Sequence, residues 1–184
     1  MSENIIENNI EKLARQIHED YLKEMRAAGK TGHPGAVEWE ELSEEFRESN
    51  RAQARNIGEK LNAVGLAFDA GETPATAEDK IDAGETPATA ADKFVAGETP
   101  AATVEEFDAE TILILTKNEH IRWIQEKLAN GWVYAPVRDN EMKHHPFLVP
   151  YEQLPPEEQQ KDINIVKNII PLLKSVGLRV YRVI

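Results

Sequence analysis

The chain has 184 residues, 41% of them apolar, which predicts one domain with a modest core, or one domain with an insert. It contains no cysteine, which excludes disulfides and thiolate chemistry, and no apolar run approaches the roughly 18 residues of a membrane span. The first residues have no basic start and no apolar run, so we expect no signal peptide and a cytoplasmic protein.

The net charge of −12 is concentrated in one segment. Residues 69–108 contain eleven acidic and two basic side chains, a net charge of −9, which leaves −3 for the remainder. Because no basic stripe is present, we expect no duplex nucleic acid as a partner. A few converging Arg and Lys side chains can still form a local pocket for a small anion.

Two helices are predicted in the first third. Apolar residues at steps of three and four predict a helix over about residues 3–28, and a loop with Gly and Pro follows it. A second helix is predicted over about residues 37–64. Its apolar stripe is interrupted between Phe46 and Ile57, where Arg47, Asn50 and Gln53 lie near the expected core face. Polar residues on such a face need partners.

Residues 68–108 are predicted to be an acidic insert built from a repeat. The phrase AGETPA starts at residues 70, 83 and 96, so the period is 13 residues. An apolar residue keeps the same step at Phe68, Ile81, Phe94 and Phe107. Each Thr-Pro pair suits the start of a short helix, which is marginal in water without packing. Two interpretations remain open: a mostly disordered spacer, or a small helical array that docks through its apolar residues.

A third helix is predicted over about residues 108–130, with Gly131 as its end. One face changes from Ile112 and Leu115 to Glu119, Arg122, Trp123 and Glu126, whereas the other face has Ile114, Ile121, Ile124 and Leu128. Prolines forbid a long helix after Gly131. A fourth helix is predicted from about residue 155, interrupted near Pro171 and ended by Gly177, and a short terminal strand without an identified partner follows.

The predicted fold class is therefore mainly α, with four principal helices, irregular Pro-rich connections and a small β element. Residues 1–67 and 109–184 are predicted to be the two halves of one domain, and residues 68–108 to be the insert between them.

Three phrases resemble the Ry domain, the module repeated in the cytoplasmic part of ryanodine receptors and also found alone in bacterial proteins. They are WEELSEEFRESNRAQA (39–54), EHIRWIQEKLANGWVYAPVRD (119–139) and KHHPFLVPYEQLP (143–155). The resemblance covers about residues 10–66 and 108–184. It implies a compact helical domain, often found as pairs related by a two-fold axis, a relation that a lone copy can recover as a homodimer. It also implies a regulatory or sensory role without established catalytic activity.

Two functions compete. In the first, a non-enzymatic regulatory module binds a small phosphorylated or nucleotide-like ligand in a groove, where Arg holds the anion and aromatic rings stack. The residues predicted to line this groove are Arg47, Asn50, Gln53, Arg122, Trp132, Tyr134, Arg138 and Lys143. In the alternative, the same residues are satisfied internally and the chain is a structural module that homo-oligomerises or docks on a partner. A nucleotide-processing enzyme is a distant third, so we expect no catalytic residue.

A second set of residues is predicted to hold the fold together: Trp39, Glu119, His120, Trp123, Glu126, Asp139, His145 and Tyr151. Within it, Glu119 or Arg122 should bond to Arg47, Asn50 or Gln53 on the second helix. The neighbouring His144 and His145 point to opposite sides of an extended segment, so they do not share a metal ion. We therefore expect no metal and no cofactor, and we expect His145 to be hydrogen-bonded within the fold.

Overall fold

The computed structural model describes residues 2–29, 32, 34–70 and 102–183. These residues form six α-helices, two 3-10 turns and two small pairs of strands, which confirms the mainly helical prediction. The elements are α1 (Ser2–Ala27), a 3-10 turn (Trp39–Glu41), α2 (Glu44–Arg55), α3 (Ile57–Ala63), β1 (Leu66–Ala70), α4 (Ala109–Ala129), β2 (Val133–Tyr134), β3 (His144–His145), a second 3-10 turn (Tyr151–Gln153), α5 (Pro156–Lys167), α6 (Ile169–Ser175) and β4 (Leu178–Arg182).

The order of elements in residues 2–70 is repeated in residues 109–182. Each half has a long helix, a 3-10 turn, a 12-residue helix, a 7-residue helix and a 5-residue strand. From the 3-10 turn onward, equivalent residues are 112 positions apart. The backbone repeats as well: Asn56 joins α2 to α3 with φ −73 and ψ −8, and Asn168 joins α5 to α6 with φ −81 and ψ −8.

The strands of the two halves pair with each other. β1 and β4 are antiparallel, with Phe68 opposite Val180 at the centre of the ladder. The register is unchanged when the two halves are exchanged, as expected for a local two-fold relation. Both central side chains are buried in one core that draws residues from both halves. The two-fold relation that the resemblance implies between copies is thus present within one chain, and a homodimer is not needed to create it.

The long helices α1 and α4 are equivalent at an offset of 102 residues. Leu13 and Leu115 are both fully buried, and His18 and His120 both lie within 3.0 Å of a backbone carbonyl just before the following 3-10 turn. The connection after α4 is ten residues longer than the one after α1. The extra length contains β2 and β3, which pair in parallel. This longer connection, residues 130–150, is called the α4 loop below.

Two predicted helices are divided in the structure. The helix predicted over residues 37–64 consists of the first 3-10 turn, α2 and α3, and Ser43 caps α2 by accepting a hydrogen bond from the Phe46 amide at 3.4 Å. The predicted interruption near Pro171 lies at Asn168, between α5 and α6. The predicted terminal strand is β4, and its partner is β1. No helix in the described part of the chain is both long enough and apolar enough to cross a membrane.

The ends of the predicted insert belong to the core. Phe68 lies within β1, and Phe107 and Val104 pack against the main core. The Val104 amide donates to the Val180 carbonyl at 2.8 Å, so this segment runs along β4 on the side away from β1. The predicted helix starts in the repeat, and the apolar residues Ile81 and Phe94, lie outside the described residues.

Candidate functional site

A buried ion network joins the two halves between α3 and α4. Lys60 on α3 pairs with Glu119 on α4, and these side chains are only 2% and 1% exposed. Arg122 donates to Glu119 at 2.8 Å and to Glu126 at 2.6 Å. Ser49 on α2 donates to the other oxygen of Glu126 at 2.6 Å. Each carboxylate in the network is therefore bonded to at least two donors.

Burial and ion pairing shift the pKa values of these groups in opposite directions. Burial by itself raises the pKa of a carboxyl, but the adjacent charges of Lys60 and Arg122 outweigh it, so the pKa of Glu119 lies below its usual value. Burial lowers the pKa of Lys60, and Glu119 offsets only part of this effect. Glu119 is thus a buried carboxyl group whose ionised form is stabilised by its two cationic neighbours.

The partners of this network differ from those expected from the sequence. Arg47 donates to the backbone carbonyls of Trp39 and Glu40 at 3.2 and 2.9 Å, and Asn50 donates to the Phe46 carbonyl at 2.8 Å. Gln53 is half-buried on α2. The cross-half partners of α4 are instead Ser49 and Lys60, because the break at Asn56 turns α3 so that Lys60 faces α4. The sequence offered one sign that Lys60 belongs to the network: it directly precedes the apolar Leu61 in a short helix.

His120 links α4 to two other segments. Its Nε2 lies 2.8 Å from the Val149 carbonyl, and its Nδ1 lies 3.3 Å from an Asp162 carboxylate oxygen on α5. The imidazole stacks on Trp123, with ring centres 5.7 Å apart, and meets Tyr151 edge-on. His120 therefore fixes the end of the α4 loop between α4 and α5.

Aromatic rings surround His145 in the last third of the same loop. Trp123, Trp132 and Phe147 meet its imidazole edge-on, at centre distances of 4.9, 5.8 and 5.5 Å. Burial, with Arg138 and Lys127 nearby, lowers the pKa of His145 to about 4. The Phe147 amide donates to its Nδ1 at 3.2 Å, so the neutral ring carries its proton on Nε2. His145 is a hydrogen-bonded part of the packing.

A groove opens between α2–α3 and α4, beside the ion network. It contains two cavities of about 280 and 420 Å³. Their shared lining is Asn56, Glu59, Arg122 and Gln125, and the small side chains Ala52, Ala63 and Ala129 border them. The equivalent junction between α5–α6 and α1 is bridged directly, because Asn164 donates to Glu24 at 2.9 Å and Asn168 donates to Asp20 at 2.7 Å.

Residues 98–182 match the family model of the RyR domain. This part of the chain is similar to the RyR domain. The match confirms the resemblance for the second half, from just before α4 to the end of β4. The first half, residues 2–70, repeats the same order of elements. Its membership in the family stays a prediction from the sequence resemblance.

The second half of the chain exposes an apolar stripe on α4. Ile114, Ile121 and Leu128, spaced by seven residues, are exposed, and Leu113 lies beside them. At the equivalent positions α1 has Lys12, Glu19, Arg26 and Glu11, which are also exposed. The apolar face predicted for this helix thus points outward, because α4 packs on α5 and α3 through its other side. Ile121 also lines the groove, so the stripe and the groove form one surface, the α4 face.

The other predicted ligand residues lie in the α4 loop. Tyr134, Arg138 and Lys143 are exposed. Arg138 donates to the Asn140 side chain at 2.9 Å, and Lys143 donates to the Asn130 carbonyl at 2.8 Å. Asp139 accepts from the amides of residues 141 and 142 at 2.9 and 3.0 Å, which closes a turn. Of the eight residues predicted for a ligand groove, only Arg122 lines the two cavities described above.

Two of the predicted aromatic residues, Trp39 and Trp132, pack against cationic side chains of the protein itself. Trp132 is half-buried, with Lys127 over its ring at 5.2 Å, and its Nε1 has no hydrogen-bond partner within the described part of the chain. Trp39 is buried, and the guanidinium groups of Arg15 and Arg47 lie over its ring. Neither ring faces the groove beside α4 in the way a stacking site for a ligand requires.

Proposed function

We propose that this chain is a non-enzymatic, cytoplasmic interaction module that self-associates through its α4 face. One observation carries the proposal: α4 exposes Ile114, Ile121 and Leu128 where the equivalent helix α1 exposes charged residues. Since α1 and α4 occupy equivalent places, the fold itself does not require apolar residues there. An exposed apolar stripe without a structural role is typical of an interaction site.

The spacing of the stripe favours a second copy of the same chain as the partner. A two-fold axis through Ile121 places Ile114 of one copy against Leu128 of the other. The same antiparallel arrangement sets Lys117 opposite the uncharged Gln125, so no like charges meet. The small residues that border the groove leave room for side chains from the opposite helix.

The proposed association is weak. Burying a side chain that is about half exposed contributes about 1 kcal/mol, half of the gain for complete burial. The four apolar residues of the stripe on two copies then contribute about 8 kcal/mol, which is offset by an association cost of about 4 kcal/mol or more. The net gain is therefore at most about 4 kcal/mol, which corresponds to a dissociation constant of about 1 mM, so we expect dimers only at concentrations approaching the millimolar range.

Ligand binding, the competing function, has less support. Arg47, Arg122 and Lys143 each donate to carbonyls or carboxylates of the protein itself. An anion would have to displace these acceptors or share the donors with them. The groove beside Arg122 also contains Glu59 and Glu126, whose charges oppose the binding of a phosphate.

Sedimentation equilibrium of the purified chain from about 0.1 mM to about 2 mM tests the proposal. We expect a concentration-dependent dimer for the native sequence and a monomer for Ile121→Glu, which places a charge at the centre of the stripe. Val183→Glu is the matched control, since Val183 is 55% exposed and Ile121 is 52% exposed. It should dimerise like the native chain. A native chain that stays monomeric throughout, or equal loss of the dimer in both variants, would overturn the proposal.

A further inference from the structure

The His120 site holds more acceptors than a neutral imidazole can serve. The Val149 carbonyl, 2.8 Å from Nε2, can only accept a hydrogen bond. An ionised Asp162, 3.3 Å from Nδ1, can also only accept. A neutral imidazole donates from one nitrogen and presents a lone pair at the other. The arrangement therefore requires one additional proton between Nδ1 and the Asp162 carboxylate.

The equivalent site in the first half lacks this requirement. His18 lies 2.7 Å from the Val37 carbonyl, just as His120 lies near Val149. Asn50 occupies the position equivalent to Asp162, and its side chain bonds to its own helix. The two histidines thus share a backbone acceptor, but only His120 has a carboxylate at its second nitrogen among the described contacts. The difference belongs to the side chains, because the surrounding backbone is repeated.

We propose that His120 and Asp162 form a proton-dependent latch that holds the end of the α4 loop against α4 and α5 and releases it when the shared proton is lost. This inference does not depend on self-association. The α4 loop is ten residues longer than the equivalent connection after α1. Its strands are tied to each other, since the Val133 amide donates to the Lys143 carbonyl at 2.9 Å. Once the shared proton is lost, the one remaining N–H of His120 can serve either Asp162 or the Val149 carbonyl, and the ionised carboxylate is the stronger acceptor. The Val149 carbonyl then loses its donor, which loosens one end of a connected unit.

The surroundings of the pair favour retention of the proton. Burial by itself would lower the pKa of His120, but Asp162 and the Val149 carbonyl outweigh it, so this pKa lies above the usual 6.5. Burial raises the pKa of Asp162. The other charged or titratable groups that act on the pair are Glu119 on α4, Tyr151 and Glu152 in the second 3-10 turn, Glu158 on α5 and Lys60 on α3.

The direction of the pH dependence follows from the raised pKa of His120. A group that binds its proton more tightly in the folded state stabilises that state fully below its unfolded pKa. This contribution is lost as the pH rises through the folded pKa. The latch is therefore closed below about pH 6.5 and opens at higher pH, above the folded pKa of His120.

NMR on the full-length chain tests the latch. Long-range proton–nitrogen spectra should show His120 protonated on both nitrogens near pH 6, with loss of one proton at a midpoint above 6.5. Across the same midpoint, hydrogen-exchange protection of the Val133 and His144 amides, corrected for intrinsic exchange, should fall, because both amides donate within the α4 loop. A singly protonated His120 near pH 6, or constant protection, would overturn the proposal.

Two variants separate the latch from general loosening of the loop. Asp162→Asn reproduces the side-chain type of Asn50, and it should lower the His120 midpoint and abolish the pH dependence of loop protection. His144→Gln is the matched control, because it removes another histidine of the same loop without touching Asp162. It should leave the pH dependence of loop protection unchanged. Persistence of that dependence in Asp162→Asn would show that another group controls the loop, and the native titration decides the question if this variant does not fold.

Discussion

At the junction of α3 and α4 a Lys60–Glu119 ion pair is buried, whereas the equivalent junction of α6 and α1 contains Leu172 and Ile17. All four side chains are buried, so the same backbone geometry accommodates both solutions. The apolar pair needs only matching shapes. The ion pair also needs Arg122 to complete the bonding of Glu119, and Arg122 in turn engages Glu126. One polar position in the core thus requires a chain of further polar positions around it.

On the outer surface the contrast is reversed, because the first half has charged side chains where the second half has apolar ones. In the first half, Arg51 pairs with Glu11, Glu44 and Glu48 across α1 and α2. At the equivalents of Glu11 and Arg51, the second half has Leu113 and Ile163. Helix α1 therefore combines an apolar junction with a charged exterior, and helix α4 combines a charged junction with an apolar exterior. Such an inversion indicates that the second half presents a surface that the fold does not need for its own stability.

The largest expected effect comes from breaking the buried ion pair. Glu119→Ala leaves Lys60 buried without its carboxylate and should lower the free energy of unfolding by about 3–5 kcal/mol in urea denaturation. The double variant Lys60→Leu, Glu119→Ile copies the pair at the other junction. Because apolar replacements of buried ion pairs are often neutral or stabilising, it should recover most of the loss. A double variant as unstable as the single one would show that the two junctions are not interchangeable.

A smaller loss of stability is expected from Asn168, which bridges the junction of α5–α6 with α1, and a still smaller one from its equivalent Asn56 beside the open groove. Asn168→Ala removes the hydrogen bond to the Asp20 carboxylate and should cost about 1.5–3 kcal/mol, the range for bonds to charged groups. Asn56→Ala at the equivalent position removes only an exposed bond to Glu59 within the same half. It should cost less than about 1 kcal/mol in the same denaturation assay. Equal losses would contradict the bridging role of Asn168.

The smallest effect is expected on the surface. Arg51→Ala should cost about 1 kcal/mol or less at low ionic strength, and this loss should shrink as salt is added because the ion pairs are partly exposed. Ile163→Ala, at the equivalent position, removes apolar contact instead. Its loss should not shrink with added salt. Thermal unfolding at low and high salt compares the two variants. The same salt response in both would contradict the proposed difference between a charged and an apolar outer surface.

The 13-residue repeat is easier to see in the sequence than the repeat that relates the two halves. The 13-residue repeat is nearly exact, whereas the two halves share few identities. The signal was nevertheless present, because Val-Gly-Leu occurs at residues 64–66 and again at 176–178, each time after an Asn-Ile pair eight residues earlier. An internal comparison at an offset of 112 residues would have predicted a strand at residues 66–70, equivalent to the terminal strand.

Helix periodicity, the glycine at residue 131, the interruption near Pro171 and the terminal strand are local properties, and the sequence alone determined them. The polar character of the middle of α4 was equally visible in the order of its residues. Only the tertiary structure decided that Lys60 and Ser49 are its partners, that β1 pairs with β4, and that Ile114, Ile121 and Leu128 face outward. The physical reason is that periodicity defines the faces of a helix, but the packing of the whole chain selects which face is buried.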